Sequence, residues 1–175
     1  MTPGILFGYD PHSMKGILLG LAIAACIVGG CASDTVLAPP TLVPVSPELR
    51  SAPAQLLFGG ATVHLDTYLW RDFQPITPPD GKPLIASLRV VSVGGAAIPT
   101  TLQADSAWIV NGDVAWASAV VQEQPRSDPS SFQVVAREGP KWGPGIDVDV
   151  VLQLRDATGQ AFLLGASGQL MHRTE

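Results

Sequence analysis

Apolar residues in the C-terminal two thirds of the chain recur in short runs with a period of two, separated by Gly, Pro and Asn. Successive strand side chains point to opposite faces, so this alternation predicts half-buried β-strands and not helices. Seven segments carry it: residues 61–70, 84–93, 101–110, 114–122, 131–137, 146–155 and 160–166. The clearest is 146–155, with Ile146, Val148, Val150, Leu152 and Leu154 on one face and Asp147, Asp149, Gln153 and Arg155 on the other. Asn111-Gly112 offers the two positive φ angles of a type I′ turn. The third and fourth segments are therefore expected as a tight hairpin, with Ile109 opposite Val114, Ala107 opposite Trp116 and Trp108 opposite Ala115. One of these two tryptophans belongs to the core and the other to the opposite face; the pattern leaves open which. Asp156-Ala157-Thr158-Gly159 predicts a second hairpin loop, and helix is expected to be minor because no long stretch repeats at helical period.

Seven short strands within residues 56–175 suit one all-β domain of ordinary size, an immunoglobulin-like or fibronectin-like β-sandwich. The Cys-Trp-Cys pattern of true immunoglobulin domains is absent, and architecture by itself does not reveal activity. A formal net charge of −5 with only 14% charged residues excludes a phosphate-binding surface, so no nucleic-acid partner is expected.

Upstream the pattern changes. Residues 16–30 form an uncharged apolar run preceded by Met14 and Lys15, too short to cross a bilayer comfortably, where about 20 residues are needed. It fits the apolar region of a secretory signal, with Lys15 as the positive flank. Pro3, Asp10 and Pro11 suit neither a signal flank nor a helix, which leaves Met14 as an alternative start within the 1–30 presequence. Val28-Gly29-Gly30-Cys31, followed by Ala32-Ser33-Asp34, resembles the lipobox of bacterial lipoproteins, in which a cysteine after small residues is acylated and becomes the new N-terminus. The resemblance covers at most the first fifth of the chain. It implies lipidation at Cys31, palmitate-type acyl chains and a membrane partner reached through the N-terminal lipid. Ile23-Ala24-Ala25-Cys26 matches the same pattern, but cutting there would leave Ile27-Val28 at the mature start, so Cys26 is the weaker candidate. Ala32 does not resemble the Asp that retains some lipoproteins in the inner membrane, which implies an outer-membrane position facing the periplasm in a Gram-negative host.

Because Cys26 and Cys31 are the only cysteines, a chain beginning at Cys31 has no thiol left for a disulfide or a metal site, and its fold must rest on packing. The stretch to about residue 55 carries Pro39, Pro40, Pro44, Pro47 and Pro53 and predicts an extended tether between lipid and domain. The alternative is that residues 41–45 add an edge strand.

Catalytic patterns fail one by one. Gly165-Ala166-Ser167-Gly168-Gln169 approaches a nucleophile elbow but has Gln169 in place of the last glycine and no following helix, so it predicts a bend or bulge. His64 and Asp66 share a strand face, as do Asp147 and Asp149, yet neither pair supplies a full metal set. No catalytic residue, metal or cofactor is assigned. Two loops carry the binding expectation. Residues 68–82 hold Trp70, Arg71 and Phe73 among prolines, and residues 139–145 hold Trp142 between Pro140 and Pro144. Their structural alternatives are a local Arg71–Asp72 pair, Trp70 or Phe73 capping the end of the sheet, and Trp142 folded back onto it. The expected function is a non-enzymatic, lipid-anchored cell-envelope protein that binds or assembles with an envelope protein partner. An envelope glycan-binding module resting on Trp70 and Trp142 is the alternative, and a metal-assisted hydrolase using His64 and Asp66 is a third class.

Overall fold

The computed structural model describes residues 39–175, so both candidate lipidation sites and the signal-like segment lie outside the described residues. The strands are β1 (Leu42–Pro44), β2 (Leu56–Phe58), β3 (Ala61–Asp72), β4 (Leu84–Ser92), β5 (Gln103–Asn111), β6 (Val114–Ala119), β7 (Ser131–Gly139), β8 (Asp147–Arg155) and β9 (Ala161–Thr174). A four-residue helix, α1 (Pro47–Arg50), and one 3-10 turn at Val93–Gly95 accompany them. The fold is all-β. Each of the seven alternating segments holds one strand, β3 to β9, and two short strands precede them.

All nine strands belong to one curled, mixed sheet in the order β1-β6-β5-β8-β9-β3-β4-β7, with β2 hairpinned onto β3. The last strand makes this continuity. Its first half runs antiparallel to β8, from Arg155↔Ala161 to Val150↔Ala166, and its second half runs parallel to β3, from Leu69↔Met171 to Asp72↔Thr174. Between the halves, Val150 pairs with Ala166 but Val148 pairs with Gln169, so β9 carries an extra residue. Gly168 takes the left-handed conformation there (φ +64°) and donates its N–H to Asp149 Oδ1 at 2.9 Å. A bulge of this kind bends a strand and increases its twist, which lets β9 serve both halves of the sheet. The serine-containing glycine run is therefore a bulge, and Asp149 is its cap.

The curl encloses the core. Val63, Leu65 and Leu69 of β3, Leu88 and Val90 of β4, Ile109 of β5, Trp116 of β6, Val150, Leu152 and Leu154 of β8, and Leu164 and Met171 of β9 fall in one buried cluster. Beyond β6 the chain returns to β7 through reciprocal bonds, Val121 N to Val135 O at 3.0 Å and Val135 N to Val121 O at 2.9 Å, which pin the two margins of the sheet to each other.

The hairpin between β5 and β6 forms with a different register from the one expected. Asn111 pairs with Val114, Ile109 with Trp116, Trp108 with Ala117 and Ala107 with Ser118. The loop is Gly112-Asp113, and only Gly112 has positive φ (+62°), the pattern of a type II′ turn. Asn111 stays in the ladder and the pairing moves by one residue on each side of the turn. Trp116 is the core tryptophan, 2% exposed, and Trp108 lies on the outer face.

That outer face is covered. Leu49, Val110, Ala115 and Val151 form a second buried cluster, with Val43, Val45, Ala52, Trp108 and Leu163 packed on it. The proline-rich stretch expected as a tether thus lies on the sheet from Leu42 onward, with β1 as the edge strand that the alternative reading allowed. Prolines fit an edge strand, whose outer side has no ladder to lose. Gly165 N donates to Pro53 O at 2.8 Å, and a Cβ on Gly165 would stand 2.8 Å from Ala52 O, so the segment approaches closer than any side chain would permit.

Candidate functional site

The inward row of β3 runs through Leu65 and Leu69 and ends at Arg71, which is only 3% exposed. Leucine positions there need only volume, but a buried guanidinium must spend its donors. Arg71 Nε donates to Lys82 O at 3.0 Å. Its Nη1 reaches the carbonyls of Lys141 (3.1 Å), Trp142 (3.4 Å) and Gly143 (2.9 Å), and its Nη2 donates to Asp80 O. Every acceptor belongs to residues 73–83 or 140–145. The two loops singled out in the sequence are therefore one surface, held together from beneath by Arg71. Burial lowers the guanidinium pKa and the nearby Asp80 charge works against that shift. Asp80 in turn accepts Lys141 Nζ at 2.6 Å, a bond that holds its carboxyl below the ordinary range and joins the loops a second time.

Arg71 does not pair with Asp72. Consecutive strand residues face opposite sides, and Asp72 instead meets Lys82 at 3.1 Å and caps the Gln74 N–H at 3.0 Å. Arg71 is buried beneath this surface and holds its two loops in position. Phe73 lies between two guanidinium groups, Arg71 at 5.0 Å and Arg173 at 4.2 Å from the ring centroid. Gly81, at φ +75°, lies so near that a Cβ would stand 2.7 Å from the Phe73 ring. Trp142 is half-buried and packs against the main core while its carbonyl accepts Arg71. Trp142→Ala is accordingly expected to lower unfolding free energy by about 2 to 4 kcal/mol in a denaturant titration, toward the range for emptied aromatic sites; a change under about 0.5 kcal/mol would mean an exposed ring.

Trp70 has a different setting. On the outward row of β3 it lies beside Tyr68, with ring centroids 5.3 Å apart and tilted by 32°. Tyr68 in turn stacks on His172 of β9 at 4.9 Å and 21°. Trp70 and His172 are direct partners across the parallel ladder, which explains why the three rings meet. Tyr68 is 46% exposed, Leu170 on the same face of β9 is 48% exposed, and Ile76 at the tip of the adjoining loop is 91% exposed. Trp70 is legible in the sequence and His172 is not, because the alternation of the seventh segment stops at residue 166, where the bulge breaks it.

His64 and Asp66 lie on this same row and contact each other, Nε2 to Oδ1, at 3.2 Å. Among the described residues no group of three or more His, Cys, Asp or Glu side chains converges. No family model, curated protein or solved structure matches this chain.

Proposed function

We propose that the protein is a lipid-anchored component of a bacterial cell envelope whose all-β domain is a non-catalytic binding or assembly module. The lipobox-like Val28-Gly29-Gly30-Cys31 supports the anchor, with lipid on Cys31 and the domain facing the periplasm from the outer membrane of a Gram-negative host. We further propose that the curled sheet belongs with immunoglobulin-like sandwiches; support comes from its two halves facing each other across one core and sharing β9.

The observation that carries the binding role is the Trp70–Tyr68–His172 pile beside Leu170, in which Tyr68 and His172 are exposed and Trp70 is half-buried. Exposed aromatics next to apolar side chains are what a protein interface uses as anchors. A protein partner is favoured over a glycan because stacked rings spend their faces on one another and offer their edges outward, whereas a sugar needs an open ring face. Arg71, the Lys141–Asp80 pair and Phe73 keep the neighbouring loops fixed, which lowers the entropy lost on docking.

Two measurements test the proposal separately. Cys31→Ser is expected to release the protein from membranes and Cys26→Ser to leave it there; intact mass showing a mature chain that starts at Ile27 or at a lipidated Cys26 would overturn the anchor assignment. Tyr68→Ser with Trp70→Ser is expected to abolish co-purification of the partner from crosslinked membranes, and Tyr68→Ser alone to weaken it while moving the unfolding midpoint little, since an exposed substitution is usually worth less than about 0.5 kcal/mol. Undiminished co-purification would remove this face from consideration.

A further inference from the structure

At the far end of β4 from this surface, residues 122–130 fold over the outer edge of β7 and enclose a cleft of about 210 Å³. Arg89, Glu123, Arg126, Ser127, Asp128 and Gln133 line it. Its two carboxylates are already engaged. Glu123 accepts Arg137 Nε at 2.8 Å and Nη2 at 3.0 Å. Asp128 accepts the Ser130 N–H (2.8 Å), the Ser130 hydroxyl (2.7 Å) and the Ser131 hydroxyl (3.0 Å), with Arg89 Nη2 at 3.7 Å. These partners, Arg137 for Glu123 and first Ser130 for Asp128, hold both carboxyls below the ordinary range.

Arg126 differs. Its guanidinium lies 4.0 Å over the Phe132 ring and donates to the carbonyls of Pro99 (2.9 Å) and Leu102, but it forms no ion pair among the described residues. A guanidinium carries five N–H donors, and two of these are accounted for. Among the described residues the cleft therefore holds one positive charge without a counter-ion, in a concave setting that concentrates its field.

We infer that this cleft binds the carboxylate of a small monoanionic molecule, with Arg126 as counter-ion and Ser127 and Gln133 supplying neutral hydrogen bonds. The planar fork of a guanidinium matches two carboxylate oxygens. A phosphate dianion would bring a second negative charge against Glu123 and Asp128, with no second free cation among the described residues of the cleft to meet it. The site is independent of the aromatic face and of the lipid.

The test uses the full-length chain in detergent, with acetate as probe and arginine side-chain NMR as readout at constant ionic strength. Acetate is expected to shift the Arg126 Nε–H and Ser127 amide signals saturably, and chloride to leave them unmoved. Arg126→Gln should weaken the response by roughly tenfold or more, as loss of a charge-assisted bond implies. Because Arg126 also ties two loops, Ser127→Trp supplies the second variant: it starts from an exposed residue and fills the cleft, and should abolish the response while the amide spectrum elsewhere stays folded. An equal shift from chloride, a stronger response to phosphate than to acetate, or an unaltered response in Ser127→Trp would each overturn the inference.

Discussion

Arg71→Ala is expected to destabilise the protein by about 3 to 5 kcal/mol, the range for removing one partner from a buried charged network. The reasoning rests on what remains. Five carbonyls, those of Asp80, Lys82, Lys141, Trp142 and Gly143, lose their donor at once, and the side chain that separates the two loops is gone. Arg71→Lys should recover only part of the loss, because one ammonium presents three donors at a point and cannot span acceptors in both loops. Trypsin cleavage at Lys141 should accelerate in both variants, more in Arg71→Ala, since the loops open before the sheet does. Denaturant titration decides it. A cost below about 1 kcal/mol would mean that water or the loops' own bonds replace the guanidinium, and Arg71 would lose its positioning role.

Arg71 also marks where the sequence could and could not be read. Its neighbourhood was legible: an Arg among aromatics and prolines on a loop next to a strand end signals a built surface, and the two loops it singled out are in fact joined. The role was not legible, because the period-two pattern would have put Arg71 on the inward row with Leu65 and Leu69, yet a charged residue there looks like a strand that has ended. Burial of a guanidinium is licensed only by five carbonyls that arrive from 9 to 72 residues away, and nothing local announces them. The aromatic pile failed for a related reason. Trp70 and Tyr68 are two apart on one strand, but His172 joins them through a parallel pairing created by a bulge, and parallel register leaves no turn in the sequence to count from. The strands themselves were readable because alternation is a local consequence of one face being buried. The proline-rich approach misled because prolines exclude central strands while permitting edge ones, so the same residues fit a free tether and β1 equally well.

The hairpin register is the one place where a single residue changed many contacts, and it leads to the second large effect. Moving the turn from Asn111-Gly112 to Gly112-Asp113 takes Trp116 away from Ala107 and sets it opposite Ile109, on the inner face. There its six-membered ring reaches β7, where a Cβ on Gly139 would stand 2.6 Å from Trp116 Cζ3. Gly139 has no left-handed φ to justify it, so the absence of a side chain is explained by the indole alone. Trp116→Ala should cost about 3 to 5 kcal/mol as a large emptied core site. Gly139→Ala should cost about 1 to 3 kcal/mol, the penalty of overpacking. In the double variant the methyl enters the space the indole has left, so the costs should fall short of their sum by about 1 to 3 kcal/mol, a coupling of the size found between residues in contact. A denaturant double-mutant cycle measures it directly. If Gly139→Ala costs the same with and without the indole, the glycine is retained for its backbone, and the close approach of Trp116 to β7 is not what fixes this part of the core.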